Sequence, residues 1–362
     1  MTIEKALVVG TGLIGASVAL ALREKRVAVY LSDIDAHAVW LARERGAGQE
    51  WTGEEVDLAV IAVAPHLVGE RLAELQKQGV AGAYTDVASV KVGPIADAER
   101  LGCDLTSYVP GHPLAGRERS GPLAARADLF SGRPWALCPG PETDAGAVRR
   151  VLELVSMCGA KAVTVGAAEH DAAVALVSHA PHVVASAVAA SLAGGGDVAL
   201  GLAGAGLRDV TRIAAGNPVL WRTILAGNAL PVAGVLDRIA VDLAAAASAL
   251  RSGDLEGVTD LLRRGVAGRG RIPGQHGGCA VVAVVLPDGP GELARLFAVA
   301  ELAEVTVEDV RLERSTDRPA GVAEVSVRPE DAGRLAEALR FHGWHVPAHD
   351  ADLSVGHGFP AR

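Results

Sequence analysis

The run Val8-Val9-Gly10-Thr11-Gly12-Leu13-Ile14-Gly15 carries a GxGxxG spacing directly behind the apolar stretch Lys5–Val9 and ahead of a helical one, Ser17–Glu24. That context gives the spacing chemical meaning. Gly10 permits a tight turn, Gly12 lets backbone approach a pyrophosphate, and Gly15 lets helix and strand pack closely. The helix N-terminus offers amide donors and a partial positive charge to phosphate oxygens. Asp33 ends the next apolar stretch, about twenty residues on, where a carboxylate bonds both ribose hydroxyls; Asp35 is a nearby competitor. Such a carboxylate repels a 2′-phosphate, so NAD is expected rather than NADP. The cofactor-binding set is Gly10, Thr11, Gly12, Leu13, Ile14, Gly15 and Asp33, with Val63 and Ala64 at the end of the third strand.

A second group bears on proton chemistry. Thr85-Asp86-Val87-Ala88-Ser89-Val90-Lys91 and Pro110-Gly111-His112-Pro113-Leu114-Ala115-Gly116-Arg117-Glu118 each follow an expected strand, at the end of the sheet where ligands bind. His112, between Gly and Pro, reads as a loop residue facing the cofactor crevice. A histidine there suits removal of a hydroxyl proton while hydride leaves the same carbon. His179 and His182 of Ser178-His179-Ala180-Pro181-His182 share a helix face. With His170 they match a metal-ligand spacing, but no acidic or cysteine partner is placed to complete a site, so no metal is expected. Asp209 and Arg212 read either as a surface ion pair or as a clamp in which Arg212 grips a substrate carboxylate and Asp209 orients it.

These residues need a scaffold. Apolar runs at Lys5–Val9, Val27–Ser32, Leu58–Val63, Ala83–Asp86, Ser107–Val109, Pro134–Cys138 and Ala162–Val165 alternate with helical stretches, which predicts an α/β doubly wound parallel sheet over residues 1–166. From 167 to 264 helix formers dominate, with helices expected at His170–Leu192, Asp209–Ala215, Pro218–Ser252 and Leu255–Arg264. The glycine-rich stretch 265–278 reads as a linker. Residues 279–350 show a βαββαβ order, a small ferredoxin-like sandwich.

Composition bounds the rest. The 362 residues are 50% hydrophobic but 3% aromatic, so cores must close with small aliphatic side chains. A net charge of −9 argues against nucleic acid as a partner. Cys103, Cys138, Cys158 and Cys279 have neither disulfide nor zinc spacing, which fits reduced thiols in a cytoplasmic protein. Residues 1–20 read as a strand running into a glycine turn, with neither a basic n-region nor a small-residue cleavage site, so no targeting segment is expected there. The longest apolar run, Val183–Gly206, is broken by Gly194-Gly195-Gly196-Asp197, so no membrane association is expected.

Taken in order, VVGTGLIGAS, DVASVK, GHPLAGRERSG, SHAPH and LRDVTRIA resemble the prephenate/arogenate dehydrogenase (TyrA) family over roughly residues 5–265. The resemblance implies a Rossmann domain joined to a helical dimerisation domain, and a homodimer. It implies His112 as the catalytic residue assisting hydroxyl deprotonation and Ser89 as its support. It also implies His179 and Arg212, with Asp209, in the substrate pocket, and Glu118 and Trp221 at its rim. Gly204-Ala205-Gly206-Leu207 departs from the triple glycine and Phe often found in relatives.

The activity implied is NAD-dependent oxidation and decarboxylation of prephenate to 4-hydroxyphenylpyruvate, with arogenate to tyrosine as the alternative. The Leu286-Pro287-Asp288-Gly289-Pro290-Gly291-Glu292-Leu293 turn resembles an ACT domain, which implies an amino-acid effector, L-tyrosine, near Asp288 and Gly291, or a plain dimerisation role. Two other readings compete. A 3-hydroxyacid or imine-reducing dehydrogenase also joins a Rossmann domain to a helical one, but the former usually depends on a helical lysine, and residues 167–264 contain none. A catalytically silent NAD or amino-acid sensor would have no chemical reason to hold His112, Ser89 and Arg212 together.

Overall fold

In the computed structural model the first part of the chain alternates strand and helix: β1 (Lys5–Val9), α1 (Leu13–Glu24), β2 (Ala28–Ser32), α2 (Ala36–Glu44), β3 (Gln49–Glu50), β4 (Leu58–Ile61), α3 (Val68–Lys77), β5 (Tyr84–Asp86), α4 (Val92–Arg100) and β6 (Tyr108–Val109). The structure describes residues 2–116, 121–272, 280–287, 289–314 and 320–347. Six parallel strands lie in the order β3-β2-β1-β4-β5-β6, a doubly wound arrangement whose strand order reverses between β1 and β4. Because side chains alternate along a strand, Ala6 and Val8 of β1 pack with Ala19 and Leu22 of α1. Leu7 and Val9 pack on the opposite face with Val68 and Leu72 of α3.

Two of the expected strands do not join this sheet. β7 (Gly111–Pro113), β8 (Pro134–Leu137) and, after α5 (Ala145–Met157), β9 (Lys161–Thr164) form a separate sheet in the order β7-β8-β9. His112 pairs with Ala136 in the antiparallel β7–β8 ladder, so it is a buried strand residue and not a loop residue. Apolar periodicity identifies a strand but not the sheet that it joins. The flanking Gly111 and Pro113 also disguise a strand of only three residues.

A long helical run follows: α6 (Ala167–Val174), a π turn at Ala175–His179, and α7 (Ala180–Ser191). With its last turn to Gly194 the run is 28 residues long with a mean hydropathy of 1.5, enough by length and composition to cross a membrane. It carries His170, Asp171, His179 and His182, all buried, so one polar stripe of the run faces the protein interior. Next come α8 (Asp197–Gly201), α9 (Ala205–Thr211), a 3-10 turn at Arg212–Ala215, α10 (Pro218–Gly227) and α11 (Ala229–Ser252). The single helix expected over Pro218–Ser252 is broken at Asn228, where α10 and α11 meet at 99°. Gly227 and Asn228 are weak helix formers, and the Asn228 amide is committed elsewhere.

Contacts divide the chain into one unit up to Leu243 and a second from Ala244. In the second, α12 (Leu255–Arg269) begins at an Asp254 side chain that accepts from Gly257 N, and it runs through Gly265–Arg269, helical where a linker was expected. Beyond it β10 (Ala280–Pro287), α13 (Glu292–Leu302), β11 (Val307–Arg314), β12 (Ala320–Val327) and α14 (Pro329–Phe341) build an antiparallel sheet in the order β10-β12-β11. A bridge from Val285 to His345 adds a short fourth edge. Val284, Leu296, Val325, Leu335 and Trp344 form a separate small core.

Candidate active site

The glycine turn sits at the C-terminal ends of β1 and β4. Gly10 has φ +98°, and a Cβ there would lie 2.3 Å from the Ala62 carbonyl oxygen. A Cβ on Gly15 would lie 1.9 Å from the Gly10 carbonyl oxygen, so α1 can approach the strand only if Gly15 lacks a side chain. Gly12 differs: nothing lies within 4 Å of an added Cβ, so the backbone faces open space. Leu13 and Ile14 begin α1, while Val63 and Ala64 leave β4 half-buried beside the turn.

Asp33 is anchored at this turn. It accepts from Thr11 N at 2.6 Å and Thr11 Oγ1 at 3.0 Å, and its other oxygen accepts from Asp35 N at 3.0 Å. Asp35 instead caps α2 through His37 N, so the choice between the two carboxylates falls to Asp33. The open backbone at Gly12, the start of α1 and the fixed Asp33 carboxylate together suit pyrophosphate and ribose of a dinucleotide.

His112 lies beyond the same sheet edge, held from two sides. On one, Lys91 is fully buried, ion-paired with Asp86, and donates to the Gly111 carbonyl oxygen at 2.5 Å. Asp86 also accepts from Tyr108 Oη at 2.6 Å and Ala88 N at 2.8 Å. Gly111 is crowded, since a Cβ there would come within 2.8 Å of the Asp86 carbonyl oxygen. On the other side His112 Nδ1 meets His170 Nε2 at 2.9 Å, and His170 Nδ1 meets Asp171 Oδ1 at 2.8 Å. Asp171 accepts further from Lys91 N at 2.8 Å and Val92 N at 2.9 Å. Ser89, expected to support His112, is half-buried and makes no hydrogen bond to it; His170 takes that position instead.

The helical segment brings further expected residues to one place. The π turn ends at His179, whose Nδ1 lies 3.1 Å from Asn228 Nδ2, and the same amide donates to the Asp171 carbonyl oxygen at 2.7 Å. Trp221 stacks on His182 with ring centres 3.6 Å apart and meets His179 edge-on at 6.0 Å. His182, Trp221, Gly216 and Arg222 line a cleft of about 610 Å³. Arg212 opens the 3-10 turn packed on α7, and Asp209 lies one turn earlier, both exposed. Glu118 lies outside the described residues.

The three helix histidines are thus engaged by His112 and Asp171, by Asn228, and by Trp221, and among the described residues no three ligand-type side chains converge on a metal position. His170, Asp171 and Asn228 escaped the sequence reading as parts of this site, as did the ion pairing of Asp86 with Lys91 inside a segment that was placed there. The available signal was an Asp–His pair inside an otherwise apolar, alanine-rich helix, where burial demands partners.

Burial, then the Lys91 ammonium and the neighbouring His170 and His179, hold the His112 pKa well below the ordinary histidine value. His179 is pushed down to about 4, chiefly by burial. Burial opposes ionisation of Asp171, but bonds from His170, Val92 N and Lys91 N outweigh it and keep its pKa low. The site therefore presents a neutral imidazole, a fixed carboxylate and a dinucleotide cradle. These features define a nucleotide-dependent dehydrogenase.

Residues 18–164 match the prephenate dehydrogenase nucleotide-binding domain, and residues 166–264 match the prephenate dehydrogenase dimerization domain. The probable prephenate dehydrogenase NovF of Streptomyces niveus is 41% identical over 94% of this chain and 98% of its own. The chain belongs to the prephenate dehydrogenase family. Among solved structures, prephenate dehydrogenase from A. aeolicus with hydroxyphenyl propionate and NAD+ has a TM-score of 0.66 at 25% identity, covering 74% of this chain and 98% of that one. Synechocystis arogenate dehydrogenase has a TM-score of 0.62 at 27% identity, covering 73% and 98%.

Proposed function

We propose that the chain is an NAD-dependent prephenate dehydrogenase that oxidises and decarboxylates prephenate to 4-hydroxyphenylpyruvate, supplying tyrosine synthesis in the cytoplasm. The observation that carries this reading is the buried His112, packed past the C-terminal end of β5 in the same sheet whose β1 and β4 carry the Gly10–Gly15 cradle, in a chain of this family. NAD, when bound, supplies the hydride acceptor. His112 takes the ring-hydroxyl proton at Nε2, the nitrogen not engaged by His170. Hydride loss at the hydroxyl-bearing carbon and proton loss to His112 leave a dienone; departure of the ring carboxylate as CO2 leaves its bonding pair on the ring as a phenolate, and return of the proton from His112 gives the aromatic product. Aromatisation drives that last step, so orientation and charge neutralisation are what the protein must provide. Arg212, with Asp209, clamps a substrate carboxylate, His179 lines the substrate pocket, Trp221 stands at its rim, and Ser89 serves the nicotinamide side; Glu118, outside the described residues, is carried over from the family as a second rim residue.

Arogenate is the second substrate to consider, because the Synechocystis relative is an arogenate dehydrogenase. Mixing purified chain with NAD+ and either prephenate or arogenate, and following NADH absorbance with NADP+ as control, tests both readings. Turnover of prephenate with NAD+ is expected. Turnover of arogenate alone would reassign the substrate, and turnover of neither would overturn the assignment.

The domain assignment that goes with this reading is a Rossmann domain over 1–166, a helical dimerisation domain over 167–264 and a regulatory domain over 279–350. Assembly as a homodimer is supported by the match to a dimerization domain and by exposed Val198, Leu202 and Leu230, at 80%, 81% and 87%. The C-terminal unit is proposed as an ACT-like effector module for L-tyrosine. Its strand and helix order and Gly291, left-handed at φ +91° before α13, support this. Asp288 lies outside the described residues, and the cleft of about 320 Å³ in this unit is lined by Val281, Glu337 and Arg340 and not by Gly291. Loss of tyrosine inhibition on deleting residues 279–362 is the expected result.

A further inference from the structure

The imidazole of His112 does not stand alone. Asp171, His170 and His112 form a continuous line of side chains, with His170 2% exposed and Asp171 3%. An ionised carboxylate only accepts hydrogen bonds. The low pKa of Asp171 keeps it ionised, so the 2.8 Å contact from His170 Nδ1 must be a donated N–H. In a neutral His170 the other nitrogen, Nε2, then carries a lone pair. That lone pair lies 2.9 Å from His112 Nδ1 and accepts a hydrogen bond donated by the His112 Nδ1–H. The neutral His112 that results has its own free lone pair on Nε2, which has no protein partner among the described residues.

We propose that His170 and Asp171 are positioning residues that fix His112 in the Nδ1–H tautomer and so select Nε2 as the base; this rests on reading His112 as the proton acceptor. The rest of the network holds the line in register. Asp171 is pinned by two backbone amides, Lys91 N and Val92 N, and its carbonyl oxygen by Asn228. The catalytic strand is fixed at Gly111 by Lys91. When His112 takes the hydroxyl proton it becomes an imidazolium whose Nδ1–H still has an acceptor in His170, and no proton need leave the pair. Without His170, a neutral imidazole can instead carry its proton on Nε2, where it cannot act as a base.

The test uses the full-length protein with NAD+ and prephenate. His170→Leu removes the acceptor. His170→Gln places an amide oxygen near the same position and restores acceptance without a titrating ring. The leucine variant is expected to lose about 10²-fold or more in kcat while its NAD affinity stays within about twofold, and the glutamine variant is expected to recover most of the loss. Independently, ¹⁵N spectra of ring-labelled wild-type protein should show His112 protonated on Nδ1. A wild-type His112 protonated on Nε2 would overturn the proposal, as would a leucine variant with wild-type kcat or a glutamine variant no better than leucine. The spectrum needs no turnover. A wild-type chain that shows the Nδ1–H signature yet turns over neither prephenate nor arogenate would defeat the substrate assignment while leaving the tautomer relay standing.

Discussion

Lys91→Met probes how much the buried charge pair contributes. Lys91 and Asp86 are both fully buried, and removing one partner of such a pair costs about 3–5 kcal/mol because the other charge is stranded. Asp86 would keep three donors, Tyr108 Oη, Ala88 N and, at 3.4 Å, Gly111 N, so the lower end, about 3 kcal/mol, is expected. For a unit of this size that is a fall in Tm of about 6–12 °C, readable by circular dichroism. The double variant with Asp86→Asn should recover much of the loss, since neither charge is then stranded. A second readout follows from the same ammonium. Lys91 helps to depress the His112 pKa, so its removal should raise that pKa and move the acid limb of kcat/KM to higher pH. A fall in Tm below about 2 °C, or an acid limb that stays put or moves down, would refute the electrostatic account.

Other outcomes can be checked alongside. Gly12→Ala should leave Tm unchanged yet weaken NAD binding at least about tenfold, whereas Gly15→Ala, with a Cβ 1.9 Å from the Gly10 oxygen, should destabilise the fold itself; calorimetry with and without NAD separates the two. Asp33→Ser should relax the preference for NAD+ over NADP+ in steady-state kinetics, because the carboxylate beside Thr11 no longer repels a 2′-phosphate. His179, lowered in the fold to about 4, binds its proton more readily when unfolded. Its contribution is therefore fully present above about pH 6.5 and is lost as pH falls towards 4, on the order of 3 kcal/mol in all. His179→Gln should flatten urea-denaturation stability across that window.

The cofactor end was legible because its parts are contiguous. The strand, the three glycines and the helix of β1–α1 lie in one short run, and local pattern fixes local structure there. Asp33 could be read from spacing, but its advantage over Asp35 came only with the Thr11 bonds. The proton-transfer end was legible by residue type and not by arrangement. His112 and His170 are 58 positions apart, and nothing local in either segment announces the contact. Ser89 was assigned the supporting role that geometry gives to His170. Asn228 hid inside an apolar helical pattern although the preceding Gly227 was a visible stop signal. The second sheet was missed because a strand's period carries no information about its neighbours.

The Asp171 carboxylate has a mechanical consequence. It is carried by α6 of the helical segment, yet two of its three donors, Lys91 N and Val92 N, belong to the turn into α4 of the nucleotide-binding segment. Swinging the two segments apart at this point would break both bonds together. At about 1.5–3 kcal/mol for each hydrogen bond to a charged group, the separated arrangement would be populated at only about one part in 10²–10⁴ from these two bonds alone. The carboxylate acts as a rivet. Parting at this seam is therefore rare, and the floor that carries the base stays closed and aligned from one turnover to the next.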